Sequence, residues 1–197
     1  MRMVDLSFVG TDPMQARQMA ERQVDLSRLE LAGVSTGVDV TPRLESFGSA
    51  LGRVTESVVN RWYDDQKPPT SPQQRALMNG LRPNDVRAPL QYKARPLNGV
   101  WATAPFLHNG SVPDLEALLS PVGERPKKFW LGSPEFDPTR VGYVSKRLSG
   151  GFELDTSIPG NSNSGHEFKD GQPGAGVIGR ALGPTERAAL IEYIKTL

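Results

Sequence analysis

The clearest hydrophobic pattern in the chain lies between Thr41 and Gln66. Apolar residues recur there at steps of three and four, the spacing that brings side chains to one face of an α-helix. These residues are Leu44, Phe47, Leu51, Val54, Val58 and Trp62. Thr41 suits the N-cap and Pro42 the first turn, so the pattern predicts a long helix from Pro42 that contributes an apolar face to the core.

Shorter helices are predicted elsewhere from start signals and apolar spacing. Asp12 as N-cap and Pro13 as first residue predict a helix to about Arg22, and a second short helix is expected to end at Gly80. A helix that begins with Pro184 is expected to close the chain. Its buried residues are expected to be Leu190, Ile194 and Leu197.

Proline and glycine interrupt the pattern from residue 83 to residue 173, and this region is expected to be mostly loop. A helix over residues 112–119 and a hairpin formed by "FWLG" and "VGYV" are the ordered pieces expected in it. Such a long loop region is normally functional or is held by something other than a large core, such as a cofactor. The predicted fold class is mainly α: one domain over residues 1–197, with long irregular loops and at most a small β-hairpin.

Composition narrows the functional classes. The chain has 23 basic and 22 acidic residues and a net charge of +1, which gives no reason to expect a nucleic acid or an anionic membrane as partner. It has no cysteine, and this excludes disulfides, thiolate metal sites and a cysteine nucleophile. No apolar run approaches the roughly 20 residues that span a bilayer, and the first residues do not have the pattern of a signal peptide.

Few catalytic motifs are present. No G-x-S-x-G elbow accompanies the serines, so hydrolysis by a serine nucleophile is not favoured. Gly174, Gly176 and Gly179 match G-x-G-x-x-G, but no strand pattern precedes them, and we interpret them as a flexible loop. The two histidines remain as candidates, His108 in "APFLHNGS" and His166 in "GNSNSGHEF". A metal-dependent hydrolase built on these two and on carboxylates is a remote alternative.

Three strings in the second half of the chain carry a family resemblance. "YKARPLNGVWATAPFLHNGSVPDLEALLSP", "ERPKKFWLGSPEFDPTRVGYV" and the pair "PGNSNSGHEF" with "LGPTERAALIEYIKTL" follow one another in this order. They resemble the C-terminal haem domain of multi-haem c-type cytochromes, which are related to bacterial di-haem cytochrome c peroxidases and, nearer still, to the rubber-oxygenase-like group. The resemblance covers residues 92–197. In addition, "VGTDPMQARQM" is similar to the segment after the haem attachment site in that group.

The resemblance implies a cytochrome c-like domain with haem c as the family's cofactor. In that family a Cys-x-x-Cys-His motif attaches the haem and supplies the proximal iron ligand. This chain lacks the motif, so the attachment segment is expected to precede Met1; a truncated product, an internal start and a cysteine-less descendant stay open as explanations. Haem is then bound non-covalently or not at all, and an N-terminal haem domain or a partner polypeptide is the expected partner. The family's location is periplasmic or secreted.

The resemblance also implies roles for individual residues. His166 matches the distal axial ligand of the iron, and His108 matches a pocket residue near the haem edge. The apolar walls of the pocket are expected from Tyr92, Trp101 and Phe106. Partners for the two haem propionates are expected from Lys93 and Arg95. In the alternative without haem, Trp101 and Phe106 are core residues, Arg95 is a surface ion pair and His166 is a relic without iron.

Two functions follow from these observations. The first is a partial c-type cytochrome domain that binds haem and transfers electrons within a larger oxidoreductase of the peroxidase or dioxygenase type. Whether the chain is itself an enzyme stays open, because no open coordination position or proton-handling group can be located in the sequence. The alternative is a cofactor-free scaffold or interaction module that retains the fold, whose exposed apolar loops a partner would cover.

Overall fold

The computed structural model of the protein describes residues 2–26, 44–83 and 88–197. It is 34% helical and 20% strand, and the strands form several small sheets. The predicted fold class, mainly α with at most one small hairpin, is therefore wrong. Each strand contains only two to four residues, and an alternating pattern cannot be recognised over so short a stretch.

The regular elements of the described residues are short. The helices are α1 (Leu6–Val9), α2 (Met14–Glu21), α3 (Phe47–Asp64), α4 (Pro72–Met78), α5 (Leu115–Leu119) and α6 (Pro184–Ile194). The strands are β1 (Arg2–Asp5), β2 (Gln23–Asp25), β3 (Leu44–Ser46), β4 (Gln91–Ala94), β5 (Lys128–Leu131), β6 (Phe136–Asp137), β7 (Gly142–Tyr143), β8 (Phe152–Asp155), β9 (Glu167–Phe168) and β10 (Val177–Gly179). Single 3₁₀ turns lie at Val100–Ala102 and Val122–Glu124.

The chain forms two compact units. One unit comprises Met1–Gln15 and Leu90–Leu197, and the other comprises Ala16–Pro89. In the first unit, β1 pairs antiparallel with β4, and this pairing joins the N-terminal segment to the segment of the unit that begins at Leu90. The prediction of a single domain over residues 1–197 stays a prediction.

The apolar core of the first unit lies around α5 and α6. Its buried residues are Phe106, Val112, Leu115, Ala117, Leu119, Val141, Ile191 and Ile194. Asp114 caps α5, because its Oδ1 accepts the N–H of Ala117 at 2.8 Å, while Arg140 Nε donates to its Oδ2 at 3.0 Å. The helix predicted over residues 112–119 is thus confirmed, with its start moved to Leu115 by this cap.

The strands of the first unit pair differently from the prediction. β5 pairs antiparallel with β8, with Phe129 opposite Leu154. The "VGYV" segment supplies β7 instead, and β7 pairs with β6. The predicted hairpin of "FWLG" with "VGYV" is therefore wrong, although the N–H of Trp130 donates to Ser145 O at 3.0 Å. β9 and β10 form a small parallel pair.

Helix α3 is the long helix of the second unit, but its apolar face is not in the core. It begins at Phe47 after the N-cap Ser46, while Leu44 lies in β3; the predicted cap, Thr41, and Pro42 lie outside the described residues. Leu51 and Trp62 are 45% and 51% exposed. The spacing correctly predicted a helix, but it contains no information on what covers the apolar side.

The other predicted helices are confirmed. Asp12 Oδ1 accepts the N–H of Met14, the first residue of α2, at 2.8 Å. A capping box at Ser71 starts α4, and Gly80 follows its end with a φ of 66°. In α6, which begins at Pro184, Ile194 is buried as expected together with Ile191, while Leu190 and Leu197, which were also expected to be buried, are only partly buried. None of the described helices is both long and apolar enough to cross a membrane.

Candidate functional site

His166 lies directly before β9 in an uncommon backbone conformation. Its φ of 46° is left-handed, which costs an L-residue roughly 1–2 kcal/mol. Its own N–H donates to Val9 O at 2.8 Å, and Phe168 meets its ring edge-on at 6.3 Å between centroids. Nδ1 is buried and has no hydrogen-bond partner among the described residues. Burial lowers the pKa of the imidazole below its ordinary value of 6.5; the residue's own backbone opposes this lowering and the charge of Arg125 adds to it, so the ring is mainly neutral at pH 7.

Three glycines bring the N-terminal segment against the loop that precedes His166. Gly10, Gly165 and Gly176 have φ values of 62°, 70° and 98°. A Cβ on Gly165 would overlap the carbonyl group of Gly10, and a Cβ on Gly10 would lie 2.5 Å from the Cα of Gly176. Gly176 N–H also donates to Phe8 O at 2.9 Å. Gly176, which the sequence placed in a flexible loop, thus belongs to a tight backbone junction.

The carboxylate of Asp12 is buried and holds the first part of the same loop. Its Oδ2 accepts the N–H groups of Gly160 and Ser162, each at 3.1 Å. Its Oδ1 accepts the N–H of Met14, as the cap of α2. The residue is 4% exposed. Hydrogen bonds from backbone N–H groups offset the cost of burying this charge.

The guanidinium of Arg125 is buried and holds the last part of the loop. Arg125 is 3% exposed, and its two terminal nitrogens donate to backbone carbonyls, while its Nε is buried without a hydrogen-bond partner among the described residues. The carboxylate of Glu167 interacts with the guanidinium electrostatically. The acceptors are the carbonyl oxygens of Asn163 (2.6 Å), Gly165 (2.9 Å), Leu118 (3.1 Å) and His166 (3.1 Å). Burial lowers the pKa of this guanidinium, but an arginine with so high an ordinary pKa stays charged at neutral pH.

The second histidine, His108, lies in a turn that contacts this loop. Its ring stacks on Tyr92, with centroids 3.9 Å apart and planes 23° from parallel, and the Tyr92 hydroxyl donates to Asp12 O at 2.7 Å. His108 Nε2 is buried and unpartnered among the described residues. Burial lowers the pKa of His108, and the Asp12 carboxylate opposes the lowering.

Asn109 connects the turn of His108 to the loop of His166. Its Nδ2 donates to Gly160 O at 3.1 Å and to Ser162 O at 2.9 Å. Its Oδ1 accepts the hydroxyl of Ser111, which is fully buried, at 2.7 Å. Both histidines are therefore positioned by one network of backbone and side-chain hydrogen bonds.

The structure brings together some of the predicted site residues and separates others. Tyr92 stacks on His108, while Phe106 lies in the apolar core. Trp101 is 40% exposed on a 3₁₀ turn, so it is not a core residue. Exposed cationic side chains are found at Lys93 and Arg95. The roles of these residues toward haem stay predictions.

Sequence reasoning missed four residues of the network: Asp12 beyond its role as a helix cap, Asn109, Ser111 and Arg125. The signal for Arg125 was weak, because three of its four acceptors lie 38 to 41 residues further along the chain. Asn109 and Ser111 were visible only as part of the "HNGS" turn. Every residue has a backbone carbonyl, so the residue types in a sequence do not show which carbonyls accept hydrogen bonds from a given side chain.

The two histidines have the properties of metal ligands, but the chain has no residues that could attach haem covalently. An imidazole binds a metal when it is neutral and one ring nitrogen is free, and His166 and His108 each meet this condition. Thioether attachment is excluded by the lack of cysteine in the chain. Among the described residues, no group of three or more histidine, aspartate or glutamate side chains could hold a separate metal ion.

Comparison with protein families gives a match to one part of the chain. Residues 91–131, which contain Tyr92 and His108, match the family described as RoxA-like, cytochrome c-like. The match supports a cytochrome c-like domain in this part of the chain, a class of protein that carries haem.

Two curated relatives come from Sinorhizobium fredii (strain NBRC 101917 / NGR234). Uncharacterized protein y4iJ is 57% identical over 194 residues, a match that covers 98% of this chain and 31% of the relative. Uncharacterized protein y4iM is 40% identical over 119 residues, which covers 53% of this chain and 27% of the relative. The chain thus spans less than a third of the length of either relative.

Proposed function

We propose that the chain supplies the distal side of a haem site in a RoxA-like cytochrome, with His166 as an axial ligand of the iron. The observation that carries the proposal is the buried, unpartnered ring nitrogen of His166. A buried polar atom without a partner is costly, and an iron atom would give it one. When bound, the haem supplies the redox chemistry that this chain lacks.

The electrostatics of the loop support a neutral ligand. Burial and the cationic Arg125 both disfavour protonation of His166, so its ring does not need to lose a proton before it binds iron. The strained φ of 46° is a second support, because strained backbone tends to persist where a functional geometry requires it.

Other residues are assigned supporting roles. His108, stacked on Tyr92, forms a wall of the pocket and offers a second neutral imidazole. Lys93 and Arg95 are exposed, as cations that meet propionates at a haem edge would be. The attachment cysteines and the proximal ligand come from another part of a longer polypeptide or from a partner, in the periplasm or outside the cell. Electron transfer is the function of the completed site.

A titration with ferric haem tests the proposal. We expect a Soret band of imidazole-ligated haem with the wild type, and at least tenfold weaker binding after His166→Asn, since even groups that only support a metal ligand contribute about 10–100-fold to affinity. Asparagine is the matched replacement, because it tolerates the left-handed backbone at this position. His108→Gln should weaken binding less and keep the imidazole-ligated spectrum. Equal affinities of the wild type and His166→Asn contradict the proposal.

A second candidate function is an interaction module without cofactor. It is favoured by the exposed apolar face of α3, where Leu51, Val58 and Trp62 are 45%, 55% and 51% exposed. The same titration separates the two candidates, because an interaction module gives no Soret change that depends on His166.

A further inference from the structure

The loop that carries His166, residues 160–166, is held at its two ends by buried charges of opposite sign. The carboxylate of Asp12 accepts N–H groups near the start of the loop, and the guanidinium of Arg125 donates to carbonyls near its end. We infer that Asp12 and Arg125 are positioning residues for His166, which fix the loop backbone so that the imidazole keeps one orientation.

Burying the guanidinium of Arg125 costs free energy, so its presence in the interior indicates that its hydrogen-bond geometry is required. A buried guanidinium normally forms an ion pair with a carboxylate. Glu167 interacts with Arg125 electrostatically, but the Nη1 and Nη2 groups of Arg125 donate to carbonyl oxygens. An apolar residue would fill the same space without the desolvation cost. A planar fork with five donors can reach carbonyls from two chain segments at once, which a lysine ammonium cannot do with the same geometry.

Asp12 binds backbone N–H groups of the same loop, whereas Arg125 binds its carbonyl groups. An ionised carboxylate only accepts hydrogen bonds, and one oxygen of Asp12 takes the N–H groups of both Gly160 and Ser162 at 3.1 Å. The other oxygen is used by Met14 N–H, which ties the loop to the start of α2. The asparagine isostere would point a donor at donors on one side, so it cannot reproduce this arrangement.

The two residues act where His166 is under strain. The backbone of His166 is held on both sides: its N–H by Val9 O at 2.8 Å and its carbonyl by Arg125 Nη2 at 3.1 Å. The preceding carbonyl, that of Gly165, accepts a hydrogen bond from Arg125 Nη1 at 2.9 Å. Without the guanidinium, a residue at φ 46° loses the contacts that oppose its return to ordinary backbone.

Nuclear magnetic resonance of protein labelled with [¹⁵N]histidine tests the inference without haem. The chain contains only two histidines, so His166→Asn and His108→Gln assign both ring signals. We expect one set of His166 ring signals in the wild type and several sets, or broadened ones, in Arg125→Lys. The His108 ring signals should stay single, and the exposed Arg180, paired with Glu186, gives the control variant Arg180→Lys, in which both rings should stay unchanged.

Two results would overturn the inference. One is a folded Arg125→Lys protein whose His166 ring keeps the single wild-type signal set. If both rings instead take unfolded positions, Arg125→Lys has not folded, and Asp12→Asn then tests the loop from its other end. In that variant a single, unshifted His166 signal is the overturning result, while split signals support the inference.

The inference rests on the proposed function where it treats the oriented ring as a haem ligand. For that part we expect Arg125→Lys to bind ferric haem about 10–100-fold more weakly than the wild type. A wild type that binds no haem refutes the proposed function, and the ring signals still decide the inference. A wild type that binds haem through His166, with unchanged affinity and ring signals in Arg125→Lys, refutes the inference alone.

Discussion

At the scale of single residues, His108 combines a buried ring nitrogen with a nearby carboxylate. Burial is the larger influence and lowers the pKa of His108 below its ordinary value of 6.5, while Asp12 opposes it. In the unfolded chain the same imidazole returns to its ordinary pKa. The unfolded chain therefore binds a proton more readily than the folded protein between the lowered value and about 6.5, and folding is weakened as the pH falls through this window.

We predict that His108→Gln reduces the pH dependence of stability between pH 7 and pH 5. The free energy of unfolding of the wild type should fall more steeply with falling pH than that of the variant. The difference is at most about 1.4 kcal/mol per pH unit for one proton, and smaller here because the ring is only half-buried. Urea unfolding at several pH values measures it, with Lys93→Gln as an exposed control. Parallel curves for the wild type and His108→Gln would rule out a lowered pKa at this position.

The residue types at the site were partly predictable. The two histidines were predicted as the chemically important residues because they are scarce and lie in Gly/Asn-rich turns. The capping role of Asp12 followed from the Asp-Pro pair. Its second role, and that of Arg125, depend on backbone groups brought near by folding, which no local spacing reports.

At the scale of secondary-structure elements, helices α5 and α3 differ in the fraction of their residues that is buried. Helix α5 has only five residues, but three of them are buried. Helix α3 has 18 residues, of which only Ala50 is buried. Helical stability in proteins depends mainly on packing of the apolar face, so the shorter helix should contribute more to the stability of the protein.

We predict unequal effects of the same substitution in these two helices. Leu115→Ala removes a side chain that is 1% exposed and should lower the free energy of unfolding by about 2–5 kcal/mol. Leu51→Ala removes one that is 45% exposed and should change it by less than about 1 kcal/mol. Circular dichroism during denaturation measures both. A cost for Leu51→Ala equal to that of Leu115→Ala would mean that the α3 face is packed.

Helix starts were more predictable than strand pairs. Proline in the first turn, a capping side chain before it and glycine after the end are local signals, and they located α2, α4 and α6. The strands lack such local signals. For example, β5 pairs with β8 rather than with the nearer "VGYV" segment. Pairing between short distant segments is decided by tertiary contacts.

At the scale of the whole molecule, buried polar side chains stabilise the fold together with the apolar core. Besides the apolar cluster around α5 and α6, the buried residues of the described chain include Thr11, Asp12, Ser111, Asp114, Ser120, Arg125 and Thr156. The sequence pattern predicted that something other than a large core, such as a cofactor, holds the long loops in place. Part of that role belongs to Asp12, Ser111 and Arg125, whose side chains form hydrogen bonds with the backbone of the loop that carries His166.

The proposed haem site is tested most directly by asking whether His166 binds haem iron. Ferric haem added to protein labelled with [¹⁵N]histidine allows pulsed electron paramagnetic resonance to detect a ring nitrogen bonded to the iron. We predict ¹⁵N coupling of a ligated imidazole in the wild type and in His108→Gln, and its loss in His166→Asn. Coupling that is absent from the wild type, or that persists in His166→Asn, would contradict this prediction.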